Sequence, residues 1–201
     1  LRDRTGDQDL WWQDFEKPDN LEWHEFGGHI LMCDSLIGGD NAIPVTPGVN
    51  HGAFNNPTSG DSWVEGFPVW ASISIANVSG YNNPQFYKWG AANNDNLEDN
   101  YNISRDEEFA IASILWDVID PINTRENDSI QVSLKTTWDA LNKVWVIDIN
   151  STYNALKAAN IGQGDLNTDG VTDLDEMYIV RWIYNDSNGN GVFNSGTDQI
   201  G

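Results

Sequence analysis

Seven residues between Asp165 and Glu176 have the types and spacing that a hard divalent cation requires. Asp165, Asn167, Asp169, Gly170, Val171, Asp173 and Glu176 stand at positions 1, 3, 5, 6, 7, 9 and 12 of a twelve-residue loop. Side-chain oxygens at alternate positions converge on calcium, Gly170 permits the sharp turn, Val171 offers its carbonyl, and Glu176 can bind through both oxygens. Twenty-one residues later Asp186, Asn188, Asn190, Gly191 and Asn194 repeat the spacing, with Phe193 at the eighth position and Thr197 where the bidentate acid belongs. The first loop is expected to bind calcium. The second is a degenerate copy that retains oxygens at Asp186, Asn188, Asn190 and Asn194. A helix over 176–184 is expected after the first loop.

The second group of metal-type residues lies near the start of the chain. The stretch Leu21-Glu22-Trp23-His24-Glu25-Phe26-Gly27-Gly28-His29-Ile30 resembles the zinc helix of the gluzincin metallopeptidases, in which two histidines bind zinc and the glutamate between them activates water. Ser62-Trp63-Val64-Glu65-Gly66-Phe67 is similar to that family's downstream segment, which supplies a third ligand. Glu108 to Asp120, EFAIASILWDVID, resembles the helix that backs the site. The resemblance spans roughly residues 20–150. It implies a mainly α fold like the helical half of a gluzincin, with His24, His29 and Glu65 as zinc ligands, Glu25 as general base and a peptide as substrate.

The spacing of the two histidines departs from the family. At about 100° per residue, positions four apart on an α-helix diverge by about 40°, whereas His24 and His29, five apart, diverge by about 140°. The family's second histidine falls at Gly28. Either a one-residue π-bulge at Gly27-Gly28 swings His29 back into line, or the zinc site is lost. Pro68 is expected to interrupt the helix carrying Glu65, and Ser62 to Glu65 also fits a capping box that needs no metal. Only about twenty residues precede His24, too few for the β-sheet whose edge strand holds substrate in that family. His51, within Asn50-His51-Gly52, reads as a surface histidine.

Composition narrows the function classes. Against 31 acidic residues stand 10 basic ones, a formal net charge of −21, which repels phosphate backbones and anionic membrane surfaces. Nucleic-acid binding and membrane insertion are therefore not expected. No apolar run approaches the ~18 residues that span a bilayer, and no signal peptide is visible at Leu1, so the chain reads as soluble and already processed. Cys33, the single cysteine, lies in the apolar run Ile30-Leu31-Met32-Cys33 and reads as a buried thiol. Asn-x-Ser/Thr sequons at Asn77, Asn102, Asn127 and Asn150 are glycosylation candidates. With the calcium loop they indicate a secreted, extracellular protein.

Three segments follow from the pattern. Residues 1–18 are an extended arm, 19–161 a metallopeptidase-like helical domain, and 162–201 a calcium-binding segment joined through a Gly162-Gln163-Gly164 hinge. In the domain, Asp19 or Asn20 caps a helix carrying Trp23, Phe26, Ile30 and Leu31. Each glycine of Gly27-Gly28 costs about 1 kcal/mol there, which implies close packing or a break. Residues 63–75 are helical. Ser104-Arg105-Asp106-Glu107 caps a helix over 109–119 that Pro121 stops. Helices are expected over 133–141 and 151–159, with 143–149 as strand or helix. The last forty residues, two loops bracketing one helix, resemble an EF-hand-like dockerin, the calcium-dependent adhesion module of secreted polysaccharide-degrading complexes.

The histidine spacing, the missing sheet and the capping-box reading of Glu65 together point to a secreted, calcium-binding, glycosylated, non-catalytic structural or assembly protein derived from a zinc-peptidase scaffold. Trp11, Trp12 and Phe15 on the arm would seat a second copy, forming a homo-oligomer or filament. The alternatives are an active secreted zinc metallopeptidase or a dockerin-like adhesion module.

Overall fold

The computed structural model describes residues 20, 23–32, 59–80, 85–86, 95–99, 108–120, 129–144, 146, 148–181, 183–190 and 193–200. The N-terminal arm with Trp11, Trp12 and Phe15, and also Cys33, His51, Asn102, Asn127, the Ser104–Glu107 capping box and Pro121, lie outside the described residues. The protein is mainly helical. In chain order the helices are α1 (Trp23–Ile30), α2 (Ser59–Val78), α3 (Glu108–Ile119), α4 (Leu134–Leu141), α5 (Ile149–Ala158) and α6 (Asp173–Val180). Two short antiparallel ladders pair β1 (Gln85–Phe86) with β2 (Asp95–Asn96), and β3 (Tyr184–Asn185) with β4 (Gln199–Ile200). Among the described residues no helix is long and apolar enough to cross a membrane.

Helix α3 is the centre. Phe109, Ile111, Ile114, Leu115 and Val118 are all shut off from solvent, and so are Ser113 and Asp117 on the same helix. A helix buried all round must be covered on every side, and α2 provides the largest cover. Gly66 of α2 comes so close that a Cβ there would stand 2.3 Å from the Glu108 carbonyl oxygen and 2.9 Å from Ile111 Cβ. Trp63, Phe67 and Trp70 form a tilted stack along α2, with neighbouring ring centroids 5.3 Å apart, and Trp138 of α4 lies 6.4 Å from Phe67.

Local rules fail at three places in these elements. Helix α2 continues through Pro68 instead of stopping there. The missing N–H frees one carbonyl and costs about 3 kcal/mol, which burial of Trp63, Phe67, Val69, Trp70 and Ile73 along the same helix offsets. Ser62 is no cap, because α2 begins at Ser59 and Ser62 lies buried one turn inside it. Of the segment expected as strand or helix, Lys143, Val144, Val146 and Asp148 lie in neither. Asn142 closes α4, and Ile149 opens α5.

The start of α5 is set by Asp148. Its Oδ1 accepts from the Ser151 backbone N–H at 2.7 Å, and Ser151 Oγ accepts from the Asp148 N–H at 3.0 Å, which satisfies donors the helix leaves orphaned. Replacing Asp148 with alanine is expected to lower stability by about 1–2 kcal/mol in a urea titration. An unchanged midpoint would show that packing alone sets this boundary.

The junction at 162–164 is a fixed joint, not a hinge. Gly162 has φ +64°, and a Cβ there would strike Ile130 Cδ1 at 2.4 Å and Leu174 Cβ at 2.8 Å. Leu174 N donates to Gly162 O, and Asp173 N to Gly164 O, each at 2.9 Å. The C-terminal segment is thereby packed on the domain, with Leu174, Met177, Tyr178 and Ile183 in the common core.

Candidate metal centres

Helix α1 is wound as a π-helix over its whole length, Trp23–Ile30. Its backbone bonds run from i to i+5, so residues five apart stack as residues four apart do on an α-helix. His24 and His29 are five apart, and their rings meet edge-on with centroids 4.9 Å apart. The 140° divergence expected for an α-helix does not arise. The glycine pair lets α1 lie backbone-first on α2: a Cβ on Gly27 would be 2.3 Å from Ile75 Cδ1, and one on Gly28 2.4 Å from both Cα and Cβ of Pro68. Pro68, expected to break the site's helix, is the surface on which the histidine helix rests.

Glu65 reaches between the two rings from α2. Its Oε2 is 3.4 Å from His24 Nε2 and 3.5 Å from His29 Nε2. Ligand atoms of the three residues all lie within 4.8 Å of one another, the one group of three His, Cys, Asp or Glu side chains brought together in this way among the described residues. Ligands about 2.0–2.1 Å from zinc at the corners of a tetrahedron stand about 3.3–3.4 Å apart. The glutamate oxygen is thus already close to one tetrahedral edge from each histidine nitrogen. The His24 and Glu65 side chains are 10% and 13% exposed and His29 24%, so the group opens on the His29 side. Burial pushes the His24 pKa down, and the charge of His29 acts in the same direction. The Glu65 hydrogen bond and the charges of Glu65 and Glu25 oppose this without reversing it. The downward shift favours the neutral imidazole, the protonation form that binds metal.

In the first C-terminal loop the side chains at positions 1, 3 and 5 fold inward onto backbone donors. Asp165 accepts from Asp169 N at 3.1 Å and Gly170 N at 2.9 Å, Asn167 Oδ1 from Asp169 N at 3.0 Å, and Asp169 Oδ1 from Val171 N at 2.8 Å. Thr168 at φ +61° and Gly170 at φ +92° make the turn. Glu176, on α6, returns to the loop, where Asn167 Nδ2 donates to its Oε1 at 2.6 Å. Its Oε2 is buried with no hydrogen-bond partner. Burial raises the Glu176 pKa, the bond from Asn167 lowers it, and the charges of Asp169, Asp173 and Asp165 raise it again, for a net upward shift. Asp173 is placed differently: fully buried, it accepts from Leu166 N at 2.9 Å and from the Ser129 hydroxyl, and so ties the loop to the domain. Helix α6 ends at Val180, earlier than the expected span.

The second loop closes on itself. Asp186 Oδ1 accepts from Gly189 N at 2.8 Å and Asn190 N at 3.3 Å, Asn188 Oδ1 accepts from Asn190 N at 3.1 Å, and Asn194 Nδ2 donates to Asn190 Oδ1 at 3.4 Å. Sequence reasoning missed Asp198, one place beyond the expected acid. Its Oδ1 accepts from Ser187 N at 2.9 Å and its Oδ2 from Asn194 N at 2.8 Å. Asp173 and Asp198 do the same work in the two loops, each receiving the N–H of its loop's second residue. Burial pulls the Asp198 pKa up, but the bonds from Ser187, Asn194 and Thr197 outweigh it and hold the pKa below the usual value.

Two sequons fall within the described residues. Asn77 lies in the last turn of α2, next to the exposed Val78. Asn150 lies in the first turn of α5, with Oδ1 buried and unpartnered and Thr152 fully buried.

No protein-family model matches this chain, and no curated protein or solved structure matches it either.

Proposed function

We propose that the protein is a secreted zinc-dependent peptidase of gluzincin type, with calcium held structurally in the loop Asp165–Glu176. The observation that carries the reading is the convergence of His24, His29 and Glu65 from two helices, with the Glu65 oxygen 3.4 and 3.5 Å from the two histidine nitrogens and all three ligand atoms within 4.8 Å of one another. Of the grounds for a non-catalytic scaffold, the π-winding of α1 bears on the histidine spacing alone. His24, His29 and one Glu65 oxygen would hold the metal, and a set of three protein ligands would leave room for water or substrate.

Bound zinc supplies Lewis acidity that polarises a peptide carbonyl and lowers the pKa of water. The chain's own residues supply the rest. Neutral His24 keeps its lone pair for the metal, and the Glu65 carboxylate offsets one of the cation's two charges. Glu25, beside His24 and near enough for its charge to act on that ring, takes the proton from attacking water and returns it to the departing amine nitrogen.

For calcium, the support is the ligand series of the first loop and the buried, unpartnered Glu176 Oε2 among three further carboxylates. A calcium-loop tail fixed to the domain serves a peptidase and a scaffold equally, so zinc is what separates the two readings. Protein purified without chelators should carry about one zinc per chain by mass spectrometry, lost in His24→Ala. Glu25→Gln should keep zinc and lose peptidase activity by about 10²–10⁴-fold. Calcium without zinc in the unaltered protein would end the peptidase reading and leave the non-catalytic, calcium-stabilised assembly or adhesion module.

A further inference from the structure

Arg181, immediately after α6, is a cation buried to 1% exposure in a strongly acidic protein. Its Nε donates to Ser113 Oγ at 2.9 Å, one terminal nitrogen donates to Met177 O at 3.1 Å, and the other donates to the Asp117 carboxylate. Ser113 and Asp117 are one turn apart on α3 and fully buried. One guanidinium therefore joins the C-terminal segment to two points of the central helix.

That helix is also the floor beneath the zinc ligand on α2. Gly66, the residue after Glu65, lies against the Glu108 carbonyl and Ile111 of α3 with no room for a Cβ. Helix α1 with its two histidines rests in turn on Pro68 of α2. A continuous set of rigid contacts thus runs from Arg181 through α3 and α2 to Glu65, and across Pro68 to His24 and His29. Metal sites depend on such supporting contacts to hold ligands within about 0.5 Å of working geometry.

We propose that Arg181 is a positioning residue for the metal triad: by neutralising Asp117 it holds α3, and through α3 the Glu65 carboxylate, in the place that completes the site. This rests on the zinc reading above. It makes the C-terminal segment part of the metal centre's support rather than an appendage. Without Arg181, Asp117 is a buried charge that α3 must shift to hydrate, and Glu65 moves with it.

The test is zinc affinity of the full-length protein, by chelator competition, with the visible spectrum of the cobalt-substituted form as a readout of ligand geometry. Arg181→Met is expected to weaken zinc at least tenfold and to alter the cobalt bands in protein that circular dichroism shows to be folded. The pair Asp117→Leu with Arg181→Met should recover affinity to within about threefold, because no charge is left stranded. Folded Arg181→Met with unchanged affinity and spectrum would overturn the proposal, leaving an ordinary stabilising ion pair. Should Arg181→Met not fold, Arg181→Gln decides: it keeps a hydrogen-bond donor and removes the charge opposite Asp117, so weakened zinc with altered bands supports the proposal and unchanged values overturn it. Absence of zinc from the unaltered protein is a separate result, which removes the metal reading and this proposal together.

Discussion

On the proposed zinc reading, Gly28→Ala is expected to weaken zinc affinity at least a hundredfold, while Gly27→Ala leaves most of it. The difference lies in what each new methyl group meets. At Gly28 the Cβ would stand 2.4 Å from Pro68 Cα and Cβ, a backbone atom and a ring that cannot turn aside. At Gly27 the obstacle 2.3 Å away is Cδ1 of Ile75, the far end of a side chain that can adopt another rotamer. Helix α1 must then lift off α2 in the first variant, which separates His24 and His29 from Glu65, whereas the second needs only local repacking. Intrinsic propensity predicts the opposite sign, since exchanging glycine for alanine within a helix gains about 0.5–1 kcal/mol. Zinc-to-protein ratios and urea midpoints of the two variants decide between the accounts. A Gly28→Ala protein that is more stable and retains zinc would mean that α1 does not lie on Pro68.

Why the sequence conveys the ligands of this site but not their meeting can be seen in the same residues. Histidine, glutamate and glycine types are local facts, and the possible π-bulge is legible in the pair Gly27-Gly28. Its occurrence is not, because it depends on Pro68 and Ile75, some forty residues away, which press the helix backbone-first onto α2. Pro68 misleads for the complementary reason: the proline rule describes a helix in isolation, and α2 is held by its buried aromatic stack. Helix α3 is readable nearly to its ends because its mostly apolar run, Phe109 to Ile119, is recognised without reference to a partner. Ser62 and Asp148 form a contrast. Both begin plausible capping patterns, but the first is a turn inside a helix that had already started, and the second captures a real orphan donor. Asp173 and Asp198 show the limit of position counting: the loop register marks the first as a ligand and passes over the second, and both are buried braces. Arg181 stands out only as the sole cation of the last forty residues. Nothing local shows that it enters the core to meet Asp117.

Calcium should stabilise the protein to an extent set by the charge on Glu176. In the first C-terminal loop Asp165, Asp169, Asp173 and Glu176 act on one another, and the Glu176 pKa is raised above the ordinary value of 4.5 by burial together with those charges, against the hydrogen bond from Asn167. A carboxyl group whose folded pKa is raised is most favourable when protonated. The contribution of Glu176 to the stability of the calcium-free protein should therefore fall as pH rises through 4.5 and above. A cation removes that repulsion and meets the unpartnered Oε2. At calcium a hundredfold above its dissociation constant the expected gain is about 2.7 kcal/mol. For a chain of this length that corresponds to a melting temperature about 5–10 °C higher. Glu176→Gln separates this from general screening of charge. Without calcium the variant should be at least as stable as the parent, since one like charge has gone, and its pH dependence should flatten. With calcium it should gain little, because the neutral amide no longer offers a bidentate carboxylate. Calorimetry of both proteins in chelator and in calcium gives the four values needed. Equal calcium-induced shifts in parent and variant would place the cation elsewhere, and a parent that does not respond to calcium would reduce the loop to a turn held by its own Asp and Asn side chains.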